Sequence, residues 1–223
     1  MLERMVERVT SRYPIEKLLP LCEEAIHDDR PAAINMRAED WENRPNTLLH
    51  CIYKQKRYDD RAGYYIYREN GKIVAGHGYY PFDEDPNMYV QSRVYSVPSH
   101  IKALGRDKMT TSNQLGSLIA DKALTEGYIG GIITLEEYNS ELADKIVRIT
   151  DPKRYPNYYY DTELINGRVC KPRHYKDCGL RTQPMKKYGT CIIKGTRQIV
   201  LYHLFDDSYK DELFKILDKI RAE

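Results

Sequence analysis

The chain has 223 residues, about 1.5 times the usual length of a domain, so it makes one large domain or at most two small ones. Charged residues make up 30% and hydrophobic residues 41%, which suits a globular core and excludes a wholly disordered chain. A net charge of +2 argues against a general nucleic-acid binder, and no apolar stretch approaches the roughly 20 residues of a membrane span.

The segment from Pro14 to His27 spaces Ile15, Leu18, Leu19, Cys22 and Ile26 by threes and fours, which predicts an amphipathic helix with Pro14 near its first turn. Residues 28–46, polar and holding Trp41, read as a long loop, and Thr47 to Lys56 as a second short helix. Ala62 to Arg68 alternates tyrosines with other residues and predicts a strand. Asn70-Gly71 is a hairpin turn signal, and Lys72 to Phe82 is the returning strand. After a second turn, Met88 to Val97 forms a third strand, stopped by Pro98.

Asn113 can cap a helix that runs to Thr125 with Leu115, Leu118, Ile119 and Ala123 inward, and Gly127 ends it. Tyr128 to Leu135 is a short apolar run and reads as a buried strand. Asn139 to Ile149 is a helix with Leu142, Ala143, Ile146 and Val147 inward. Residues 151–187 are rich in proline and tyrosine and show no period. Tyr188 to Lys194 and Arg197 to Phe205 form a hairpin around Gly195, and Ser208 to Ile220 closes the chain as an amphipathic helix. With no repeat and no low-complexity linker, a single α/β domain is the simplest reading.

Charge is uneven along this order. Residues 1–150 carry a balance of −3, residues 151–197 one of +7, and the remainder −2. The basic segment is either a solvated loop or a surface for phosphate or an acidic partner. The charged start, Met1 to Arg8, lacks the apolar run of a signal peptide. Five unpaired-looking cysteines (22, 51, 170, 178 and 191) then suggest reduced thiols and a cytoplasmic protein. Cys170, His174 and Cys178 have zinc-ligand chemistry, but without a CxxC knuckle and with Pro172 between them no metal site is expected.

An antiparallel meander followed by strand–helix–strand implies a mixed sheet with a crossover helix. In this order the chain resembles the GNAT acetyltransferase superfamily. Gly71-Lys72-Ile73-Val74-Ala75-Gly76 looks like the family's central hairpin, Asn113-Gln114-Leu115-Gly116-Ser117-Leu118-Ile119 like the start of its pyrophosphate-binding helix, and Asn139 like its asparagine at the head of the next helix. The resemblance implies a mixed, mostly antiparallel central sheet flanked by helices, with 151–187 as an insertion. It also implies acetyl-CoA as acyl donor and a small-molecule or peptide amine as acceptor. The chain departs from the family's loop pattern, with Thr111 in place of its basic residue and Gln114 in place of its first glycine. The connection after Val97 is about ten residues longer than usual, and Ile146 stands where many members place an acid tyrosine.

A diphosphate needs backbone N–H groups converging at a helix N-terminus. The expected ring is Gln114, Leu115, Gly116 and Ser117, with Arg106 and Lys108 replacing the missing family arginine. Ser96 and Val97 hold the strand end that in the family grips pantetheine, and Pro98 suits a strand end with no ladder bond to make. His77, Glu136 and Tyr138 are the candidates for acid–base work on the amine. Two alternatives stay open: a non-catalytic CoA-binding or interaction protein on the same scaffold, or stacking of nucleic acid on Tyr155, Tyr158, Tyr159 and Tyr160 among Lys153, Arg154 and Arg168.

Overall fold

The computed structural model describes residues 4–9, 61–96, 111–151, 159–160, 173–174 and 184–222. Strand β1 (Arg4–Val9) is followed by β2 (Gly63–Glu69), β3 (Lys72–Pro81) and β4 (Met88–Ser96). Helix α1 (Thr111–Thr125) leads to β5 (Gly130–Glu136), a 3-10 turn (Glu137–Asn139) and α2 (Ser140–Ile149). Two short strands, β6 (Tyr159–Tyr160) and β7 (Arg173–His174), pair with each other. The chain closes with β8 (Lys186–Ile193), β9 (Thr196–Leu204), a 3-10 turn (Asp207–Tyr209) and α3 (Lys210–Asp218). The helices expected at 14–27 and 47–56, the loop with Trp41, the Val97–Lys108 connection and Cys22, Cys51, Cys170 and Cys178 lie outside the described residues.

Seven strands form one sheet in the order β1-β2-β3-β4-β5-β9-β8. Every neighbouring pair is antiparallel except β4 with β5. That single parallel pair exists because α1 carries the chain back across one face before β5 begins. The expected mixed sheet with a crossover helix is therefore the observed architecture. Local chemistry sets the hairpins. Asn70 (φ 47°) and Gly71 (φ 76°) both lie in the left-handed region, as the tight β2–β3 turn requires, and Lys194 and Gly195 repeat this between β8 and β9.

Alternation along the strands divides the core between the two faces. One face holds Tyr65, Tyr67, Ala75, Tyr79 and Tyr89 under Leu115, Ile119 and Ala123 of α1, and Ile199 and Leu201 under Ala143 of α2. The other face holds Met88, Val90, Ile132, Val200 and Tyr202 under Leu213 and Leu217 of α3. Burying each of these two leucines contributes roughly 1.5–3 kcal/mol, enough to dock a nine-residue helix that would not form alone. At the β8 edge, residues 220–222 continue the sheet, with Ile192 N–H donating to the Ile220 carbonyl and Ala222 N–H to that of Thr190.

β1 was not expected from the sequence. It pairs along its whole length with β2, and its charges are matched across the sheet. Arg68 donates to Glu7 at 3.2 Å, and Arg8 lies 3.8 Å from the half-buried carboxylate of Glu126 at the end of α1.

Candidate functional site: the gap between two parallel strands

Strands β4 and β5 pair through three positions only: Met88 with Gly130, Tyr89 with Gly131, and Val90 with Ile132. Beyond Val90, β4 runs on to Ser96 bonded to β3, and beyond Ile132, β5 runs on to Glu136 bonded to β9. The two strands therefore part, and the sheet opens into a wedge whose floor is the Val90–Ile132 pair. The local cause lies in β4. Gly76 pairs with Tyr95 but Gly78 with Ser92, so β4 carries one extra residue opposite His77. Such a bulge bends its strand and increases its twist. Along the wedge, alternate N–H and C=O groups of both strands face the opening without a ladder partner among the described residues. Ser96 sits at the open end of β4, as the sequence reading placed it.

Helix α1 lies beside the wedge on one face, running from its open end towards its closed end. The described part of α1 begins at Thr111, so its first amides are those of Thr111, Ser112 and Asn113. Those from Leu115 onward are spent within the helix. Of the expected ring of donors, Leu115, Gly116 and Ser117 lie inside the described helix, and Gln114 lies in its first described turn. The Leu115 side chain and the Gly116 α-carbon are buried against the sheet. A Cβ on Gly116 would lie 2.9 Å from His77 Cε1 and 3.7 Å from Gln91 Oε1, so the missing side chain lets α1 settle onto β3 and β4. Arg106 and Lys108 fall in the connection that the described residues do not include.

The three acid–base candidates occupy two places. His77 is 2% exposed on β3 beneath α1, separated from β5 by β4. Glu136 and Tyr138 lie at the end of β5, where they line an open surface groove with Glu137, Thr196 and Arg197. The Glu136 carboxylate is exposed, and Tyr138 is 68% exposed. The hydrogen bond from Arg197 holds Glu137 below the usual carboxylate range, with guanidinium–carboxylate contacts of 2.9 and 3.1 Å. That pair ties the start of α2 to the β8–β9 hairpin. Asn139 precedes α2 but makes no side-chain cap, and its Nδ2 is buried without an acceptor. Ile146, half-buried, faces inward against the cluster of Ala143, Ile199 and Leu201.

Sequence reasoning missed a polar row at the closed end of the wedge. Tyr89 on β4, Gly131 on β5 and His203 on β9 are neighbours across three strands. The Tyr89 hydroxyl lies 2.8 Å from His203 Nε2, and Gln91 Nε2 reaches the same hydroxyl at 3.5 Å. Both Tyr89 and His203 are essentially fully buried, and burial pushes the imidazole down to about 3, so His203 is neutral at physiological pH. The signal available in the sequence was Gly130-Gly131, whose bare backbone leaves room for two rings from neighbouring strands. Among the described residues, no cluster of three or more His, Cys, Asp or Glu side chains has metal-binding geometry.

No family model matches the chain, and no curated protein matches it. Solved structures do. The PaiA N-acetyltransferase from Thermoplasma acidophilum in complex with coenzyme A is 8% identical, covers 92% of this chain and 99% of its own, and superposes with a TM-score of 0.51. A candidate acetyltransferase from Staphylococcus epidermidis is 9% identical with coverages of 92% and 100% and a TM-score of 0.52. A candidate GNAT-family acetyltransferase from Desulfovibrio desulfuricans is 8% identical with coverages of 91% and 99% and a TM-score of 0.50. What this chain shares with them is the fold. It is the GNAT fold, a mixed α/β sheet flanked by helices.

Proposed function

We propose that the chain is an acyl-CoA-dependent acyltransferase that moves an acetyl group onto an amine. The observation that carries this reading is the wedge between β4 and β5: two strands whose inner backbone groups are presented, unbonded, on either side of a gap. An extended ligand with its own amide groups can enter there as a substitute strand, gaining main-chain hydrogen bonds from both sides. The amides of Thr111, Ser112 and Asn113 stand at the end of a 15-residue helix where its dipole favours an anion, which suits a diphosphate. The unmatched Nδ2 of Asn139 supplies a buried donor beside the end of β5. These residues fit coenzyme A.

Bound acetyl-CoA supplies an acyl group activated as a thioester. The chain's own part is to hold and orient. Gap-facing amides of β4 at the bulge position the acyl carbonyl and stabilise negative charge that develops on its oxygen, and Ser96 and Val97 at the strand end grip the pantetheine arm. Arg106 and Lys108 add positive charge on the phosphate side. On the β5 side of the same opening, the Glu136 carboxylate attracts a cationic amine and accepts its proton, and Tyr138 presents an aromatic face beside it. His77, sealed beneath α1, orients that helix and does not touch the acceptor. The acceptor is a small-molecule or peptide amine, and residues 28–46 and 151–187 are the segments that shape its choice.

A second reading, binding without turnover on the same scaffold, is favoured by one observation: Ile146, at the family's acid-tyrosine position, faces the core. One experiment separates the two. Acetyl-CoA turnover is followed against a panel of amines, alongside calorimetric titration of CoA. Binding with turnover supports the enzyme, and binding without turnover across polyamines, sugar amines and peptide N-termini supports the second reading. Absence of CoA binding at millimolar concentration overturns both.

A further inference from the structure

We infer that Tyr89 and His203 form the closed end of the acyl pocket and restrict the donor to a short acyl group. This rests on the acyl-CoA reading above. The wedge narrows to the Val90–Ile132 pair, and beyond that pair a chain can continue only along one face of the sheet. On the α1 face the next position of β5 is Gly131, which has no side chain and would leave a channel one residue deeper. That channel is filled. A Cβ at Gly131 would lie 2.4 Å from His203 Nε2 and 2.5 Å from Tyr89 Cζ, so both rings occupy the space a side chain would take.

The plug is also rigid. The Tyr89 hydroxyl reaches up the strand to Gln91, the first residue above the wedge floor, while its other side is held by His203. Behind it, Tyr128 and Phe205 pack against the Tyr89 ring with centroids 5.7 and 6.4 Å away. A ring bonded on one side and packed on the other cannot swing aside without leaving a buried hydroxyl and imidazole unpaired. The wall above the plug is apolar on the β5 side, where Ile133 and Leu135 are half-buried. A short alkyl end fits this geometry, and a longer one meets the phenol.

The test is a binding ladder, independent of turnover. Dissociation constants for CoA, acetyl-CoA, butyryl-CoA and hexanoyl-CoA are measured by calorimetry on the full chain and on Tyr89→Ala and His203→Ala. Far-UV circular dichroism and melting curves identify which variants fold. The full chain is expected to bind hexanoyl-CoA at least tenfold more weakly than acetyl-CoA, because even one excess methylene in a closed apolar pocket costs about tenfold or more. A folded variant of either residue should raise hexanoyl-CoA affinity relative to acetyl-CoA by at least tenfold and leave CoA itself unchanged. If Tyr89→Ala does not fold, His203→Ala gives the same readout. Equal binding of acetyl- and hexanoyl-CoA by the full chain, or an unchanged ladder in a folded variant, overturns the plug while leaving the CoA site intact. Failure of every CoA ester to bind the full chain overturns the acyl-CoA reading and the plug with it.

Discussion

Gly116→Val separates two roles for the glycine at the head of α1. The residue is buried with its α-carbon against β3 and β4, and any Cβ would sit 2.9 Å from His77 Cε1 and 3.3 Å from His77 Nδ1. Valine adds two further carbons at that point, so either the helix lifts or the imidazole moves. Overpacking of this kind costs about 1–3 kcal/mol. The gain in helix propensity over glycine returns less than about 1 kcal/mol. For a chain of this length each kcal/mol shifts the melting temperature by roughly 2–4 °C. The ligand-free variant should therefore melt a few degrees, up to roughly 10 °C, below the parent. Differential scanning calorimetry reads this directly, and His77→Ala in the same chain should recover part of the loss by making room. CoA affinity of the folded fraction should change much less than stability. The opposite pattern, an unchanged melting temperature with CoA binding abolished, would falsify the packing role and turn that face of α1 towards the ligand.

Three further outcomes follow from buried polar groups. His203 has its folded pKa lowered by burial from 6.5 to about 3, so between those values the unfolded chain binds the extra proton and stability falls as pH drops. His203→Gln should lack that slope, and denaturant midpoints of the two proteins should converge between pH 6.5 and 4. Glu126 is shifted the other way, chiefly by burial, against the opposing influence of Tyr79, Lys122 and Arg8. Its contribution is present in acid and declines as pH rises above the ordinary carboxylate value of 4.5, so Glu126→Gln should gain on the parent from pH 4.5 towards neutrality. Tyr209 lies 3.2 Å from the carboxylate of Asp85, which is 2% exposed, and also accepts from Asn87. Tyr209→Phe leaves that carboxylate short of a donor at a cost of about 1–3 kcal/mol, seen as a lower melting temperature with unchanged CoA affinity.

Most of the described sheet was legible because turn chemistry and alternation agree. Asn70-Gly71 and Lys194-Gly195 place both hairpins, and Gly127 stops α1 with φ 84°. Three kinds of feature were hidden. β1 was missed because an edge strand needs little apolar alternation. Glu7 and Arg8 read as part of a charged terminus until their partners on β2 and at the end of α1 are known. The wedge was anticipated only through the family resemblance, since the bulge that opens it lies in Ser92 to Tyr95, whose residue types do not announce an extra residue. The Tyr89–His203 pair was invisible because its members lie 114 residues apart and meet across a glycine. The start of α1 was read at Asn113, two residues inside the described helix. Helix boundaries depend on the residues before them, and capping signals at Thr111, Ser112 and Asn113 compete within three positions.

Hydrogen exchange with and without CoA tests the wedge most directly. Amides of β4 from Gln91 to Ser96 and of β5 from Ile133 to Glu136 alternate between ladder partners and the gap, and the gap-facing set has no ladder partner among the described residues. On adding saturating CoA, protection should rise in those two segments and at Thr111 to Asn113, while β8, at the far edge of the sheet, stays unchanged. Bound CoA that leaves both strands exchanging as before, or protects β8 instead, contradicts the assignment of the wedge as the acyl-CoA site.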